Sequence, residues 1–285
     1  MADKLHGDWV NQARKMKRIL SLGAGVQSST VALMIAKGEI EPVDAAIFAD
    51  TQWEPKKVYE WLDWLERQIA ASSNPFPVYR VTEGNLRQDI ISKQNTTGGR
   101  FAAIPWHMLM PNGDRVMGRR QCTAEYKLKP LRRKMRELVG LAKGQRSKGV
   151  MVETLIGIST DEAMRMKPSR DPWAKNVWPL IDRNMSRWDC LQWMERNGYP
   201  MPPKSSCIGC PFHSDHEWRA MKADPESWAD AIEIDQIIRA PARGMKGQQF
   251  SHRSCVPLDQ VDLSTAADHG QVDMFINECE GMCGV

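Results

Sequence analysis

The chain has 285 residues, 42% of them hydrophobic and 26% charged, with a net charge of +4 and seven cysteines. These totals describe a soluble globular protein long enough for a full core, and no apolar run approaches the roughly 18 residues of a membrane span, so no membrane partner is expected. The amino-terminal stretch MADKLHGDWVNQARKMKR is polar and basic with no apolar signal core behind it, so the chain reads as cytoplasmic, where cysteines are more often metal-binding or catalytic than paired in disulfides.

The stretch from Arg18 to Met34 (RILSLGAGVQSSTVALM) opens on apolar strand residues Ile19 and Leu20 and enters a helix at about Val26. Between them runs a small-residue loop, Ser21 to Ser29. Its Gly23 and Gly25 let the backbone pass close to a ligand. The helix that follows turns its free N–H groups and positive dipole end back on the loop, and Ser21, Ser28 and Ser29 add hydroxyls. The stretch reads as a phosphate cradle, against the plainer reading of a strand–turn–helix corner. A P-loop is excluded because the loop has no lysine, and a dinucleotide fingerprint because Ser28 stands where the third glycine belongs.

The stretch Glu39 to Asp50 closes on AAIFAD and reads as a second parallel strand, with Asp50 and Thr51 at its carboxyl end, where open α/β sheets bind ligands, against the plainer reading of Asp50 as a cap of the next helix. Pro55 starts a helix with Val58, Trp61, Leu62, Leu65 and Ile69 on one face, and 75–81 is a third strand. This alternation predicts an α/β fold with a doubly wound, mostly parallel sheet. Residues 94–120 are loop-like, with a hairpin at Asn112-Gly113. The segment 115–148 then carries twelve bases against Glu125 and Glu137. It is +10 in a chain of +4, so it is either a solvated helical face or a surface for a phosphate-rich partner. Its apolar stripe is Leu128, Leu131, Met135 and Leu138.

Thr154 to Arg165 is another strand running into a turn, and Ser186 with Asp189 forms a capping box for a helix whose core face holds Leu191 and Met194. Cys190 on that helix is a small core residue. Glu217 to Arg239 is a helix, a Pro-Glu-Ser restart and a second helix. His213 and His216 read as exposed loop residues, and His252 and Cys255 carry no assigned role.

Cys207-x2-Cys210 lets two sulfurs face one metal from a tight turn, with Gly209 giving the turn its freedom. The sequence ends with Cys279-x3-Cys283. Spacing alone favours a closed zinc site of Cys207, Cys210, Cys279 and Cys283. Cys122 lies among cations that favour its thiolate.

These motifs together resemble the PP-loop superfamily of ATP-pyrophosphatases and phosphoadenylyl-sulfate (PAPS) reductases, in its iron–sulfur-binding form. Gly23-Ala24-Gly25-Val26-Gln27-Ser28 is similar to the family's Ser-Gly-Gly-x-Asp-Ser, with Gly23, Ala24 and Gln27 in place of Ser, Gly and Asp. Cys122, Lys127, Pro130 and Leu131 resemble the family's cysteine before Lys-x-x-Pro-Leu. Gly157, Asp161 and Glu162 resemble its Gly-x-Arg-x-x-Glu-Ser, with Ser159 where the family has Arg. Cys207-x2-Cys210 follows the same Pro-Leu and helix elements, and Glu278-Cys279 echoes the reductases' Glu-Cys tail.

The resemblance implies an adenine nucleotide α-hydrolase-like domain over 1–200 and a Cys-rich, mainly helical region over 201–285 packing on it. ATP, or adenylyl sulfate or PAPS, would be held by Ser21, Gly23, Ala24, Gly25, Gln27, Ser28, Ser29, Asp50, Arg120, Lys127 and Gly157. A four-iron–four-sulfur cluster would take Cys122, Cys207, Cys210 and Cys283, with zinc as the alternative, and the catalytic thiols would be Cys122 and Cys279. The implied activity is adenylation of an acceptor, such as a nucleobase, for sulfur transfer. The alternatives are a sulfonucleotide reductase and a zinc-stabilised nucleotide- or nucleic-acid-binding module. The implied partners are an adenine nucleotide, tRNA or DNA on 115–148, and a sulfur-donor protein or small thiol, with a homodimer left open.

Overall fold

In the computed structural model, which describes residues 16–96, 103–147, 149–240 and 246–264, the apolar runs near the amino end form neighbouring parallel strands. β1 (Lys17–Leu22) pairs with β2 (Ala45–Asp50), Ser21 facing Ile47 in register. Alternation is absent because both faces of these strands are covered: Ile19, Leu20, Ala46 and Ile47 are all buried. α1 (Val26–Lys37) between them is buried along its length from Val26 to Ala36, and Gly38 ends it in the left-handed conformation, at φ +81°. α2 (Lys56–Ala70) follows β2, and Val58, Trp61, Leu62, Leu65 and Ile69 form the buried stripe its spacing requires. β3 (Val78–Thr82) and the short α3 (Leu86–Ser92), capped by the Asn85 side chain, come next.

The hairpin joins β4 (His107–Leu109) to β5 (Arg115–Met117), with Gly113 at φ +87° in its turn. A π-helical turn, Thr123–Leu128, leads into α4 (Lys129–Leu138). β6 (Val152–Ile156) returns to the sheet beside β1, a 3-10 turn covers Thr160–Arg165, and β7 (Ala174–Val177) pairs with β6. α5 (Pro179–Asp182) and α6 (Arg187–Arg196) follow, α6 with the capping box of Ser186 and Asp189. α7 (Asp215–Lys222), α8 (Pro225–Arg239) and β8 (Gln248–Phe250) complete the described elements.

The chain divides into two compact units. One draws on the chain up to Phe48, on Leu62–Tyr79 and on Leu131–Pro202. Its centre is the all-parallel five-stranded sheet in the order β3-β2-β1-β6-β7, flanked by helices. The order reverses direction between β1 and β6, so the loops leaving those two strands diverge from one point at their carboxyl ends. α1 and α6 pack together in this unit, and Cys190, fully buried, has its thiol pushed up to about 12 by burial. The core face of α6 is Cys190, Trp193 and Met194, while Leu191 is half-buried.

The other unit draws on Ala49–Trp61, Arg80–Pro130 and the chain from Pro203 onward. A three-stranded antiparallel sheet in the order β5-β4-β8 stands beside a helical core that includes Tyr126, Trp218, Ile234 and Leu258. Asp235 on α8, 1% exposed, accepts the backbone N–H groups of Ser251 at 2.9 Å and Leu258 at 3.1 Å and pairs with Arg239. One buried carboxylate thereby fixes the segment after β8. His252, left unassigned by the sequence, is buried there between Asp215, 2.9 Å from its Nε2, and the Ser254 hydroxyl, 2.8 Å from its Nδ1.

At the start of α7, Glu217 completes a capping box with Ser214 and pairs with Lys204. Burial alone would push its carboxyl up, but nearby His213, Lys204 and the Ser214 N–H outweigh that and hold it at about 2. His213 Nδ1 stands 3.6 Å from the carboxylate, too long for a hydrogen bond, so the greater part falls to Lys204 and Ser214. With an unperturbed value of 4.5, this carboxylate contributes stability that is complete above pH 4.5 and is lost as the pH falls through 2. Glu217→Gln should therefore flatten the decline in unfolding free energy over that window, as read by urea denaturation at a series of pH values.

Candidate functional site

Two places gather the residues that the sequence singles out, one in each unit. In the sheet unit, the chain leaves β1 at Gly23, whose N–H donates to the Ser28 hydroxyl at 3.1 Å and closes the loop on itself. Gly25 is the N-cap of α1, and no side chain accepts from the helix's first turn, which also holds no acid. The N–H groups there are served by no protein cap, the condition under which a helix start attracts an anion. The residue with positive φ is Ala24, at +57° and fully buried, where the family pattern has glycine. A Cβ in that conformation costs about 1 kcal/mol or more, so the loop keeps its shape at some expense.

After β6 the chain passes Gly157, and here a glycine is required by crowding. An added Cβ would lie 2.8 Å from the Ser28 nitrogen and 3.0 Å from the Gln27 carbonyl carbon. Gln27 is itself engaged: its amide nitrogen donates to Glu162 at 3.2 Å and approaches the Ser159 hydroxyl at 3.4 Å, while Arg187 donates to its oxygen at 3.1 Å. Arg165 pairs with the other oxygen of Glu162. Arg187 and Arg165 thus bring two guanidinium groups to the Gln27 side of this loop. No motif marks Arg187; it reaches Gln27 from the first residue of α6, 160 positions on. Ser21 sits within β1 opposite Ile47 and Ile156, and Ser29 is fully buried in α1.

Asp50, in the other unit, has its carboxylate committed to the turn after β2. It accepts from the Gln52 N–H at 2.7 Å and from the Tyr59 hydroxyl at 2.8 Å. Burial and the Asp50 charge push the Tyr59 hydroxyl well above its ordinary value, so that proton stays in place.

The cysteine site lies wholly within this second unit. Cys122, Cys207 and Cys210 line one pocket, with Arg120 and Lys127 also on its wall. Trp53 and Phe212 supply aromatic surface, and Thr51, Thr123 and Ser206 supply hydroxyls. Three of these contributions come from the π-helical turn and its start: Cys122 immediately precedes it, and Thr123 and Lys127 lie inside it. The wider spiral is anchored by Tyr126, fully buried, whose hydroxyl donates to Asp89.

The Cys-x2-Cys loop is held from several sides. Its own turn closes through Cys210 N–H to the Cys207 carbonyl at 3.0 Å. Ile208 N–H donates to the Trp53 carbonyl at 2.9 Å, His107 Nε2 reaches the Pro211 carbonyl at 3.1 Å, and Arg120 lies 5.1 Å over the Phe212 ring. His213, expected on the surface, is buried, and its Nε2 meets the carbonyls of Cys207 at 3.1 Å and Ile208 at 3.2 Å. Two acceptors on one ring nitrogen require that nitrogen to carry the proton. Gly209 is likewise needed for a reason other than backbone freedom. It is not among the glycines of positive φ, but a Cβ there would stand 2.4 Å from the Trp53 ring.

Behind the pocket wall sits a buried polar knot. The Glu54 side chain is fully buried; its Oε1 lies 3.4 Å from Lys127 Nζ, 3.3 Å from the Thr51 hydroxyl and 3.7 Å from Cys207 Sγ, and its Oε2 has no hydrogen-bond partner. The Thr51 hydroxyl is 3.2 Å from Cys207 Sγ. Burial and the Glu54 charge push the Cys207 thiol far up. Burial also raises Cys122, with Arg120 and Lys127 pulling the other way without prevailing. The cations that the sequence places around Cys122 are present, but desolvation outweighs them, so the thiol form is favoured.

Among the described residues no three His, Cys, Asp or Glu side chains are already gathered as a metal-holding group. Three thiols on one small pocket nevertheless suit a thiophilic centre in donor chemistry. Cys279 and Cys283 lie outside the described residues. Part of the basic segment is engaged within the fold: Lys129 pairs with Glu83, Arg132 with Asp171, Lys134 with Glu137 and the Tyr79 ring, and Arg136 lies over Trp173. No family model matches the chain, and no curated protein sequence matches it.

Gly209→Ala should push the Trp53 ring off its seat and destabilise the protein by about 1–3 kcal/mol, the cost of overpacking. Urea unfolding followed by tryptophan fluorescence would read it, and a variant as stable as the parent would show that the ring is not seated there.

Proposed function

We propose that this chain is a PP-loop-type ATP-pyrophosphatase that adenylates an acceptor oxygen for replacement by sulfur. The observation that carries the reading is the convergence at the reversal of strand order. There the 23–25 loop, the uncapped start of α1 and Gly157 come together, and Gly157 has no room for a side chain against the loop backbone. Open parallel sheets bind ligands at such a point. Phosphates would take the free N–H groups of the first turn of α1, with Arg187 and Arg165 supplying positive charge that the family draws from the position of Ser159.

The chemistry follows from what each part can do. An acceptor oxygen attacks the α-phosphorus of ATP, the bond to the β-phosphate oxygen breaks, and pyrophosphate leaves with the electron pair. Backbone N–H groups and guanidinium groups stabilise charge developing on the phosphorus oxygens. A sulfur nucleophile then displaces AMP from the adenylated carbon. The Gln27 amide holds the place of the family's acid, and its engagement with Glu162 and Arg187 gives it an orienting role in the loop.

The thiols of Cys122, Cys207 and Cys210 would hold a four-iron–four-sulfur cluster with one of the tail cysteines, Cys283 in the reading from sequence. When bound, such a cluster supplies an anchoring point for sulfur. The Cys207 carbonyl already accepts from the Cys210 N–H and from His213, so the loop is shaped before any ligand arrives. The Lys127 ammonium beside Glu54 offsets that buried carboxylate next to Cys207.

Calorimetric titration with ATP tests the nucleotide reading. The parent protein should bind ATP, and Gly157→Ala, which forces the loop backbone to move, should weaken binding by at least about tenfold. Equal binding by the two proteins, or none by the parent, contradicts it. Sulfite release from adenylyl sulfate in place of pyrophosphate release from ATP would identify a sulfonucleotide reductase instead.

A further inference from the structure

We infer that the cysteine pocket binds the sulfur donor directly, as a small sulfur oxyanion of the thiosulfate type, with its sulfonate end on the Arg120 guanidinium. This identifies the donor for the reaction proposed above and rests on that reading for its purpose, but not for its geometry: the outer sulfur forms the bond to the adenylated carbon as AMP leaves, and water then cleaves the S–S bond of the C–S–SO3 adduct, leaving the carbon-bound thiol and releasing sulfate. Arg120 lines the pocket beside Cys122, and its Nε donates to the Thr123 hydroxyl at 3.0 Å. Its other recorded contact is the face of Phe212. Among the described residues no carboxylate is recorded within ion-pair distance of it, whereas Arg87, Arg132, Arg165 and Arg239 each have one.

The guanidinium is half-buried and held by a hydroxyl and a ring, with no carboxylate beside it among the described residues, and an anion entering the recess supplies a counter-charge. The planar fork matches two oxygens of a sulfonate or sulfate group, whereas a spherical hydrosulfide gains nothing from it. Phe212 stacking locks the rotamer, so the fork is pre-organised. Lys127 brings a second cation to the same wall, and its partner Glu54 lies buried behind it.

Cys207 and Cys210 line the same pocket as Arg120, so an oxyanion seated on that guanidinium shares the recess with polarisable sulfur groups. A carrier protein's persulfide has no oxyanion to offer this fork.

The test is equilibrium dialysis of the anaerobically purified full chain with thiosulfate labelled in its outer sulfur, at constant ionic strength. Saturable binding is expected, with competition by sulfate and sulfite but not by chloride, and Arg120→Gln should weaken it by about tenfold or more. Absence of saturable binding, equal competition by chloride, or unchanged affinity in a folded Arg120→Gln protein overturns the inference. Binding of labelled hydrosulfide but not thiosulfate overturns it as well. ATP titration of the parent, run in parallel, reports on the nucleotide reading independently, so a failure of either is recognisable on its own.

Discussion

The indole of Trp53 lies so close over Gly209 that the smallest side chain would collide with it, and the arrangement of the cysteine pocket depends on that contact. The same residue takes the Ile208 N–H on its carbonyl, and its ring nitrogen donates to Asp230 on α8 at 2.6 Å. Asp230 is fixed in turn by Arg87, which also reaches Glu233 at 2.6 Å. A tryptophan buried this way contributes one of the larger apolar areas available to any side chain. Its polar tip is satisfied, so the burial carries no unpaired-donor cost. The Cys-x2-Cys turn therefore rests on a rigid aromatic plate tied to a helix, and His213 and His107 grip its carbonyls from other directions. A loop held at so many backbone points is suited to keep sulfurs in place with or without a ligand.

The sheet unit uses a different device for a similar end. There the parallel strand order itself creates the opening between the loops after β1 and β6, and close packing of Gly157 on Ser28 sets how far the loops approach. The left-handed conformation at Ala24 adds strain in the same loop. Strain at a turn between a central strand and a buried helix is tolerated because the flanking elements over-determine the path: α1 is buried from Val26 to Ala36. Both candidate sites thus consist of a short, tightly constrained loop on a rigid support.

Much of the fold was legible because periodicity and punctuation are local. The strand and helix after Arg18, the helix stripe from Val58 to Ile69, the Asn112-Gly113 hairpin and the Ser186 capping box all follow from spacing within a few residues. The stripe assigned to the basic segment fails at Leu128, 39% exposed, because the π-helical turn before α4 changes the angular advance per residue. Val139 is buried where Leu138 was expected to be the core residue. β8 is three residues, Gln-Gln-Phe, with no pattern to read, and exists because β4 offers it an edge.

For the sites, cysteines and glycines were visible as types, but their reasons were not. Gly209 looks like a flexible turn residue and is in fact the floor beneath a tryptophan. Glu54 and Arg187 act through space on residues far away in sequence, and nothing in their neighbours announces it, while His213 folds back on the Cys-x2-Cys turn five and six residues before it.

The proposal stands on Cys122, Cys207 and Cys210 holding one four-iron–four-sulfur cluster. Iron, acid-labile sulfide and zinc counted per chain after anaerobic purification, in the parent and in Cys207→Ala, test it most directly. The account predicts about four irons and four sulfides in a brown parent protein, lost in the variant. A colourless parent carrying a single zinc or no metal, or an iron content unchanged by Cys207→Ala, would contradict it.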